Sequence, residues 1–110
     1  MSAYDLEEYV TAKGKSPFGY WLEKLKDKRT VARILTRLDH VKLGNLGDHK
    51  PIKGVPGLYE LREHYGAGYR IFFSIVDHQV ILLLAGSSKR TQQRVIEKAT
   101  QYLADYEKRI

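Results

Sequence analysis

The sequence places two arginines and a histidine close together, in types and spacing that suit chemistry on a phosphate ester. Arg62 and Arg70 lie on either side of the segment Gly66-Ala67-Gly68, and His64 stands between them. Metal-free cleavage of RNA needs a base for the 2′-hydroxyl, positive charge for the phosphoryl oxygens and an acid for the departing 5′-oxygen. Guanidinium groups supply the charge, and imidazole suits proton transfer near neutral pH. We therefore predict that Arg62 and Arg70 bind phosphate and that His64 is a candidate acid or base.

Two further residues extend this candidate site. Glu60 shares the period-2 face of Arg62 and is a second candidate for the general base. Lys89 precedes the expected start of the last helix, where the helix dipole favours an anion. The alternative is that the arginines form ion pairs with Glu60, Glu63 or Asp77 on an exposed sheet face. In that interpretation the histidine is a surface residue before a turn and the lysine belongs to a solvated loop.

The chain is basic, with 19 Lys and Arg against 13 Asp and Glu and a formal net charge of +6. On a chain of 110 residues this charge favours a polyanionic partner, and RNA, DNA and an acidic protein all remain open. Basic residues elsewhere in the chain are candidate RNA-binding residues: Lys50, Lys53, Arg90, Arg94, Arg33 and Arg37. For the helical members of this set, a solvated helix face with spaced ion pairs is the alternative.

Several classes of function are excluded by residues that the sequence lacks or spaces differently. There is no cysteine, so disulfides, thiolate metal sites and cysteine nucleophiles do not occur. The four histidines lack the spacing of metal ligands, and we predict neither a metal site nor a cofactor. The acidic N-terminal segment does not resemble a signal peptide, and the longest apolar run, residues 80–85, is far shorter than the ~20 residues of a membrane span. We therefore expect a soluble, cytoplasmic protein.

The first half of the chain predicts a strand and two helices. Residues 4–11 are short and mixed, as in an edge strand. Ser16 can cap a helix whose first residue is Pro17, and apolar residues then recur at helical spacing. A second helix follows, and Gly44 is expected to end it. Residues 44–57 contain four glycines and two prolines and predict mostly loop.

Three strands and a helix are predicted for the second half. Strand-like runs cover residues 58–65, 70–76 and 79–85. The last of these is an uninterrupted apolar run, reached through a turn at Asp77 and His78, and is expected to be the central strand. A C-terminal helix is predicted from Thr91 onward. This order predicts an α+β fold over residues 1–110, a single domain with an N-terminal strand, a helical hairpin, a three-stranded antiparallel sheet and helices largely on one of its faces.

The alternation in the two hairpin strands predicts where the arginines point. If the strands pair in register, Arg62 and Arg70 lie on one face, opposite to Ile71 and Phe73. We expect Arg70, at the open end of the hairpin, to be the principal phosphate contact and to be exposed. Its replacement by alanine should then leave the fold intact.

The order of these elements and several short motifs resemble a known family. The motifs are LGNLGD at residues 43–48, LYELR at 58–62, YGAGYR at 65–70 and LAGSSKRTQ at 84–92. From about Ser16 onward, their order and spacing resemble the RelE/ParE toxin superfamily, and within it the phage-derived, HigB-like branch of addiction module killer proteins.

The resemblance implies a RelE-like toxin domain that enters the ribosomal A site and cleaves messenger RNA, held inactive by a cognate antitoxin. It implies partners of three kinds, namely a helix-turn-helix antitoxin, messenger RNA and the ribosome, and no membrane. The phosphate-binding positions that it implies are Arg62, Arg70, Lys89 and Arg90. Two positions depart from the best-known branch, since Glu60 stands where that branch has a lysine and Arg94 lies near the position of an expected tyrosine.

Two other functions are compatible with the same sequence. A gyrase-poisoning toxin of the ParE branch shares the fold, binds a protein target and needs no nuclease chemistry. A nucleic-acid-binding domain without activity would show salt-dependent RNA binding and harmless expression.

Overall fold

A computed structural model describes residues 3–110 and places a five-stranded sheet between two layers of helix. The elements in chain order are β1 Asp5–Glu8, α1 Pro17–Lys24, α2 Lys28–Lys42, β2 His49–Pro51, β3 Tyr59–Glu63, β4 Tyr69–Val76, β5 Val80–Ser88 and α3 Gln92–Arg109, with a 3₁₀ turn at Lys89–Thr91 before α3. The strand order is β1-β5-β4-β3-β2, and neighbours are antiparallel except β1 and β5, which run parallel. The predicted α+β class is confirmed, as is the edge position of the first strand. None of the helices in this range is long and apolar enough to cross a membrane.

The first two helices begin and end at residues whose chemistry explains the boundaries. Ser16 accepts a hydrogen bond from the Gly19 amide at 3.0 Å, and Pro17 is the first residue of α1, as predicted. α2 ends at Lys42, and Gly44 just beyond it has a φ of +95°, which glycine adopts without steric cost. Both boundaries could therefore be predicted from local sequence signals.

Helices cover both faces of the sheet. α1 and α2 pack on the face that presents Ile71 and Phe73. α3 packs on the opposite face, where Ala99 and Leu103 form one cluster with Phe72. The expectation that the helices lie largely on one face is therefore wrong. Because β4 carries large apolar side chains on both faces, leaving either face in water would forgo roughly 25 cal/mol for each Å² of buried apolar surface, so each face requires its own helical layer.

The apolar strand predicted to be central is an interior strand, but the middle position belongs to its neighbour. β5 is flanked by β1 and β4, and β4 is third in the strand order. β5 also extends to Ser88, beyond the predicted end, because β4 continues opposite it as far as Tyr69. The extension requires Gly86, since a Cβ at this position would lie 2.1 Å from an indole carbon of Trp21.

A short strand lies within the segment that was expected to be mostly loop. β2 pairs with β3, so that Lys50 is opposite Glu60 and His49 is opposite Leu61. All three residues of β2 are exposed, and they show no apolar alternation. The strand is therefore held by the free edge of β3 and has no pattern of its own that predicts it.

Candidate functional site

Arg62 and Arg70 face each other across the β3–β4 hairpin, as the sequence predicts. They are direct partners in the antiparallel register, and Arg70 is also opposite Ser87 on β5. Lys89 joins the same end of the sheet, because its amide donates a hydrogen bond of 3.0 Å to the carbonyl of Gly68 in the hairpin connection. Three of the predicted site residues are thus brought to one end of the sheet.

Glu60 lies between three basic side chains, and the four residues are called here the Glu60 cluster: Lys50, Glu60, Arg62 and Arg70. Its carboxylate is 0% exposed. Oε1 lies 3.5 Å from Arg62 Nε and 3.8 Å from Lys50 Nζ, and Oε2 lies 3.6 Å from Arg70 Nε. Three cations therefore surround one anion, which leaves the cluster with a net charge of +2. The alternative in which the arginines pair with a neighbouring acid is realised at Glu60.

Burial changes the roles predicted for two members of this cluster. Glu60 does not fit the general base, because a substrate cannot reach a carboxylate that has no exposed surface. Arg70 is only 4% exposed, against the expectation of an exposed side chain. It lies on the middle strand with β3 and β5 on either side, and Glu60 compensates its charge there. Loss of Arg70 is therefore expected to disturb the fold.

The ion pairs of the Glu60 cluster are too long to be hydrogen bonds. Within residues 3–110, no hydrogen bond reaches either carboxylate oxygen of Glu60, the Nε of Arg62 or Arg70, or the buried hydroxyl of Ser87. Arg70 Nη1 donates to the Tyr69 carbonyl at 3.0 Å. Most buried polar groups in proteins are hydrogen-bonded, and the exceptions call for an explanation. The cluster thus holds hydrogen-bonding capacity that the fold does not use.

An aspartate that the sequence analysis missed holds His64 at the surface. His64 Nε2 lies 2.6 Å from Asp48 Oδ2, and the two side chains are 69% and 47% exposed. The hydrogen bond from His64 lowers the pKa of Asp48, and the charges of Arg62 and Arg37 lower it further. Asp48 reaches this position through the pairing of β2 with β3, since its carbonyl accepts a 2.9 Å hydrogen bond from the Arg62 amide. The contact depends on β2, so no local sequence signal indicates it.

Arg37, predicted to bind RNA, uses its side chain to hold the backbone of this site. Nη1 donates to the Arg62 carbonyl at 2.7 Å, and Nη2 donates to the Asp48 carbonyl at 2.7 Å and to the Leu46 carbonyl at 3.0 Å. Nε donates to the same Leu46 carbonyl, and Glu63 lies 3.8 Å from Nη1. The guanidinium therefore fixes the Asp48 loop against α2 and β3. Because its donors are occupied, we correct the predicted role of Arg37 from RNA contact to structural anchor.

The remaining basic candidates lie at the surface. The exposed ones are Lys50, Lys53, Lys89, Arg90, Arg94 and Arg33. Arg33 stacks over the ring of Tyr65, with its guanidinium carbon 4.2 Å from the centroid. At the start of α3, Thr91 makes no capping hydrogen bond and the first turn contains no acidic residue, so the positive end of the helix dipole is not compensated there. Within residues 3–110, no three His, Asp or Glu side chains are placed to hold a metal ion together.

Comparisons with known proteins show the fold and the family of this molecule. An arginine-to-alanine double mutant of E. coli toxin RelE in the free state has the same fold, with a TM-score of 0.63 and 17% identity over 92% of this chain and 97% of that one. The family model described as phage-derived protein Gp49-like matches residues 20–105. An uncharacterized protein of Haemophilus influenzae is 38% identical over 82 residues, which are 74% of this chain and 81% of that protein.

The fold is thus that of the RelE toxins. The chain belongs to the phage-derived Gp49-like family, and the resemblance to the RelE/ParE superfamily and its phage-derived branch is confirmed.

Proposed function

We propose that this chain is the toxin of a type II toxin–antitoxin system and that it cleaves messenger RNA at the ribosome without a metal ion. The observation that carries the proposal is the convergence of Arg62 and Arg70 with an exposed, hydrogen-bonded His64 at one end of the sheet. The RelE fold and the Gp49-like family support the class of protein. The side chains at the end of the sheet support the chemistry.

In the proposed reaction, the 2′-oxygen of one nucleotide attacks the adjacent phosphorus while the bond to the 5′-oxygen of the next nucleotide breaks. A base removes the proton of the 2′-hydroxyl and a proton reaches the departing oxygen, so the products are a 2′,3′-cyclic phosphate and a 5′-hydroxyl. Arg62, which is partly exposed, and Lys89 contact the phosphoryl oxygens. Arg70 lies just beneath them, where its charge is screened less than it would be in water.

His64 is the base in this proposal, because its hydrogen bond fixes the roles of its two ring nitrogens. When Nε2 donates its hydrogen to Asp48, Nδ1 of the neutral ring carries the lone pair that accepts the 2′-proton. Asp48 therefore orients the ring and stabilises the cation that forms. The departing 5′-oxygen takes its proton from water or from Lys89, the exposed cation at the same end of the sheet.

Exposed basic residues around this centre would bind the RNA backbone. They are Lys50, Lys53, Arg33, Arg90 and Arg94. Contacts of this kind position RNA without reading its sequence, and they weaken steeply as salt rises. The net charge of +6 agrees with such a surface and with a ribosomal target rich in phosphate.

An antitoxin would cover this basic end of the sheet while the cell grows. Its contact segments should be acidic or apolar, because charge complementarity speeds association and fixes the orientation of the partner. The proposal places both proteins in the cytoplasm, where the ribosomes are, and expects the antitoxin to carry a helix-turn-helix domain.

The test is to express the chain under a tight inducible promoter and to map the ends of messenger RNA. Arg62→Ala should lower cleavage on the order of a hundredfold, the effect of removing one charge-stabilising donor. Arg109→Ala, an exposed arginine on α3, is the matched control and should cleave like the wild type. Arrest of DNA replication before translation would contradict the proposal and favour a gyrase-targeting toxin. Salt-dependent RNA binding without cleavage would favour a non-catalytic RNA-binding domain.

A further inference from the structure

The Glu60 cluster has a geometry that neither a catalytic base nor an ordinary ion pair explains. The carboxylate is fully buried on β3, and its partners differ in exposure: Arg70 is buried, Arg62 is partly exposed and Lys50 is half-exposed. Both arginines turn Nε towards Glu60, at 3.5 and 3.6 Å. Because Nε of Arg62 is buried, the exposed surface of that side chain lies on its other atoms, whereas Arg70 is buried and donates from Nη1 to the Tyr69 carbonyl at 3.0 Å.

The cluster is also a costly way to stabilise a sheet. A buried carboxylate must be compensated by nearby positive charge, and replacement of buried ion pairs by apolar side chains of similar volume is often neutral or stabilising. Glu60 is opposite the buried Phe72 on β4, in a position where an apolar side chain would pack without this desolvation cost. The contribution of the carboxylate is thus the placement of the cations around it.

We infer that Glu60 is a positioning residue: it holds Arg62 by its Nε so that the rest of this partly exposed guanidinium can meet a phosphate of the RNA, and it fixes the buried charge of Arg70 beneath that phosphate. This inference rests on the proposed function for the identity of the ligand. Glu60 itself touches no RNA. The net charge of +2 keeps the cluster receptive to an anion after the carboxylate has been compensated.

Three variants test this role: one removes the charge of Glu60, one shortens its side chain, and one removes the charge of another glutamate on the same strand. Glu60→Gln keeps the volume and removes the charge, and Glu60→Asp keeps the charge but withdraws it by one methylene. Glu63→Gln is the matched control, because Glu63 lies on the same strand but faces α2, where it approaches Arg37 at 3.8 Å. Circular dichroism melts identify which variants fold.

The first measurement needs no activity, since NMR of the Nε–H groups reports how firmly each arginine is held. The wild type and Glu63→Gln should show slowly exchanging Nε–H signals for Arg62 and Arg70. Glu60→Gln should lose these signals to rapid exchange, and Glu60→Asp should retain them in weakened form. Ordered arginine signals in a folded Glu60→Gln protein would overturn the positioning role whether or not the protein cleaves RNA.

The second measurement is cleavage of messenger RNA on purified ribosomes. Glu60→Gln should lower kcat/KM by about tenfold to a hundredfold, the size typical of residues that orient a binding group, and Glu60→Asp should restore part of it. Unchanged kcat/KM in folded Glu60→Gln overturns the inference. If Glu60→Gln does not fold, Glu60→Asp decides, and wild-type signals together with wild-type kcat/KM in that variant overturn it. A wild-type protein that cleaves no RNA overturns the proposed function instead, and the NMR comparison still decides whether Glu60 holds the arginines.

Discussion

Two groups in this molecule pair arginine with a carboxylate, and they differ in how the arginine hydrogen-bond donors are used. The group called here the α3 latch consists of Tyr9, Asp105 and Arg109. In it, Asp105 accepts hydrogen bonds of 2.5 Å from both partners, and Arg109 also donates to the Val10 carbonyl at 2.7 Å. In the Glu60 cluster, three cations surround one anion at 3.5–3.8 Å without a hydrogen bond to it. The donors of the latch attach α3 to the segment after β1, whereas the Nε groups of Arg62 and Arg70 in the cluster make no hydrogen bond.

The difference shows that residue types alone do not separate a structural ion pair from one for which we propose a role in RNA binding. The latch is partly exposed, so solvent screens its charges and it contributes modestly to stability. The Glu60 carboxylate is buried, where charges interact more strongly and an unpaired charge is costly. The deciding observations are charge balance and hydrogen-bond satisfaction, and the following predictions test whether that distinction holds.

Replacement of Arg70 by alanine should have the largest effect, and it should act on both chemistry and fold. Removal of a charge-stabilising group should lower transition-state stabilisation by about 2.7–4 kcal/mol, on the order of a hundredfold to a thousandfold in cleavage rate. The variant also leaves the buried Glu60 with only its two more exposed partners, so the urea midpoint should fall. Arg70→Lys should recover part of both losses. Arg109→Ala in the latch should lower the urea midpoint slightly and leave cleavage unchanged, and equal cleavage losses in the two alanine variants would contradict the comparison.

Replacement of His64 should lower the cleavage rate more than replacement of Asp48, since only the histidine transfers a proton in the proposed reaction. His64→Ala should lower single-turnover cleavage on ribosomes by about a hundredfold, the lower range of general acid–base catalysis. Asp48→Asn should cause a smaller loss, because the ring remains but is no longer oriented by a carboxylate. His40→Ala, an exposed histidine on α2, serves as control and should be fully active. A larger loss in Asp48→Asn than in His64→Ala would move the proton transfer away from the histidine.

Replacement of Arg37 tests the same distinction next to the candidate site, because the guanidinium of Arg37, like that of Arg109 in the latch, donates hydrogen bonds to backbone carbonyls. Arg37→Ala removes hydrogen bonds to the carbonyls of Leu46, Asp48 and Arg62 and should reduce the free energy of unfolding by about 1–3 kcal/mol. Its cleavage should fall no further than that of Asp48→Asn, since the arginine acts by holding the Asp48 loop. A wild-type urea midpoint with a greatly weakened RNA affinity would return Arg37 to the RNA contacts.

The parts of this fold that could be predicted are those with local signals. Ser16 followed by Pro17 marks the start of α1, and Gly44 marks the end of α2. The alternation in β3 and β4 was sufficient to place Arg62 and Arg70 on one face. Each of these signals depends on a few consecutive residues and on steric rules that hold in any fold.

The parts that could not be predicted depend on contacts distant in sequence. The alternation places Glu60 on the face of Arg62, but its burial depends on the strands that pair on either side of β3, which place Lys50 and Phe72 opposite it. The contact of Asp48 with His64 follows from the pairing of β2 with β3, and the sequence of β2 has no apolar alternation that would predict this strand. The bonding of Arg37 was missed for a related reason, because its acceptors are backbone carbonyls, which every residue has.

The smallest predicted effect concerns the α3 latch, where two pKa shifts link stability to pH. The hydrogen bond from Tyr9 lowers the pKa of Asp105, and Arg109 lowers it further through its hydrogen bond and charge. A lowered folded-state pKa adds stability above the ordinary value of 3.8, and this stability is lost as pH falls through the folded-state pKa. Burial raises the pKa of Tyr9 above its ordinary 10.0, and the hydrogen bond to Asp105 raises it further. The contribution of Tyr9 is therefore complete below pH 10 and is lost as pH rises through its folded-state pKa.

Asp105→Asn should accordingly flatten both limbs of the curve of stability against pH. Below pH 3.8 the variant has no carboxylate left to protonate, so its urea midpoint should fall less steeply than that of the wild type. Above pH 10 the loss of the carboxylate removes one of the causes that raise the pKa of Tyr9, so the alkaline limb should also become shallower. Glu107→Gln, an exposed position on the same helix, is the control and should keep both limbs of the wild-type curve. Cleavage at neutral pH should be unchanged in both variants, because the latch holds a helix and offers no donor to RNA. If Asp105→Asn instead reproduced the wild-type limbs while lowering cleavage, the latch would belong to the functional surface, and the distinction between the two groups would fail.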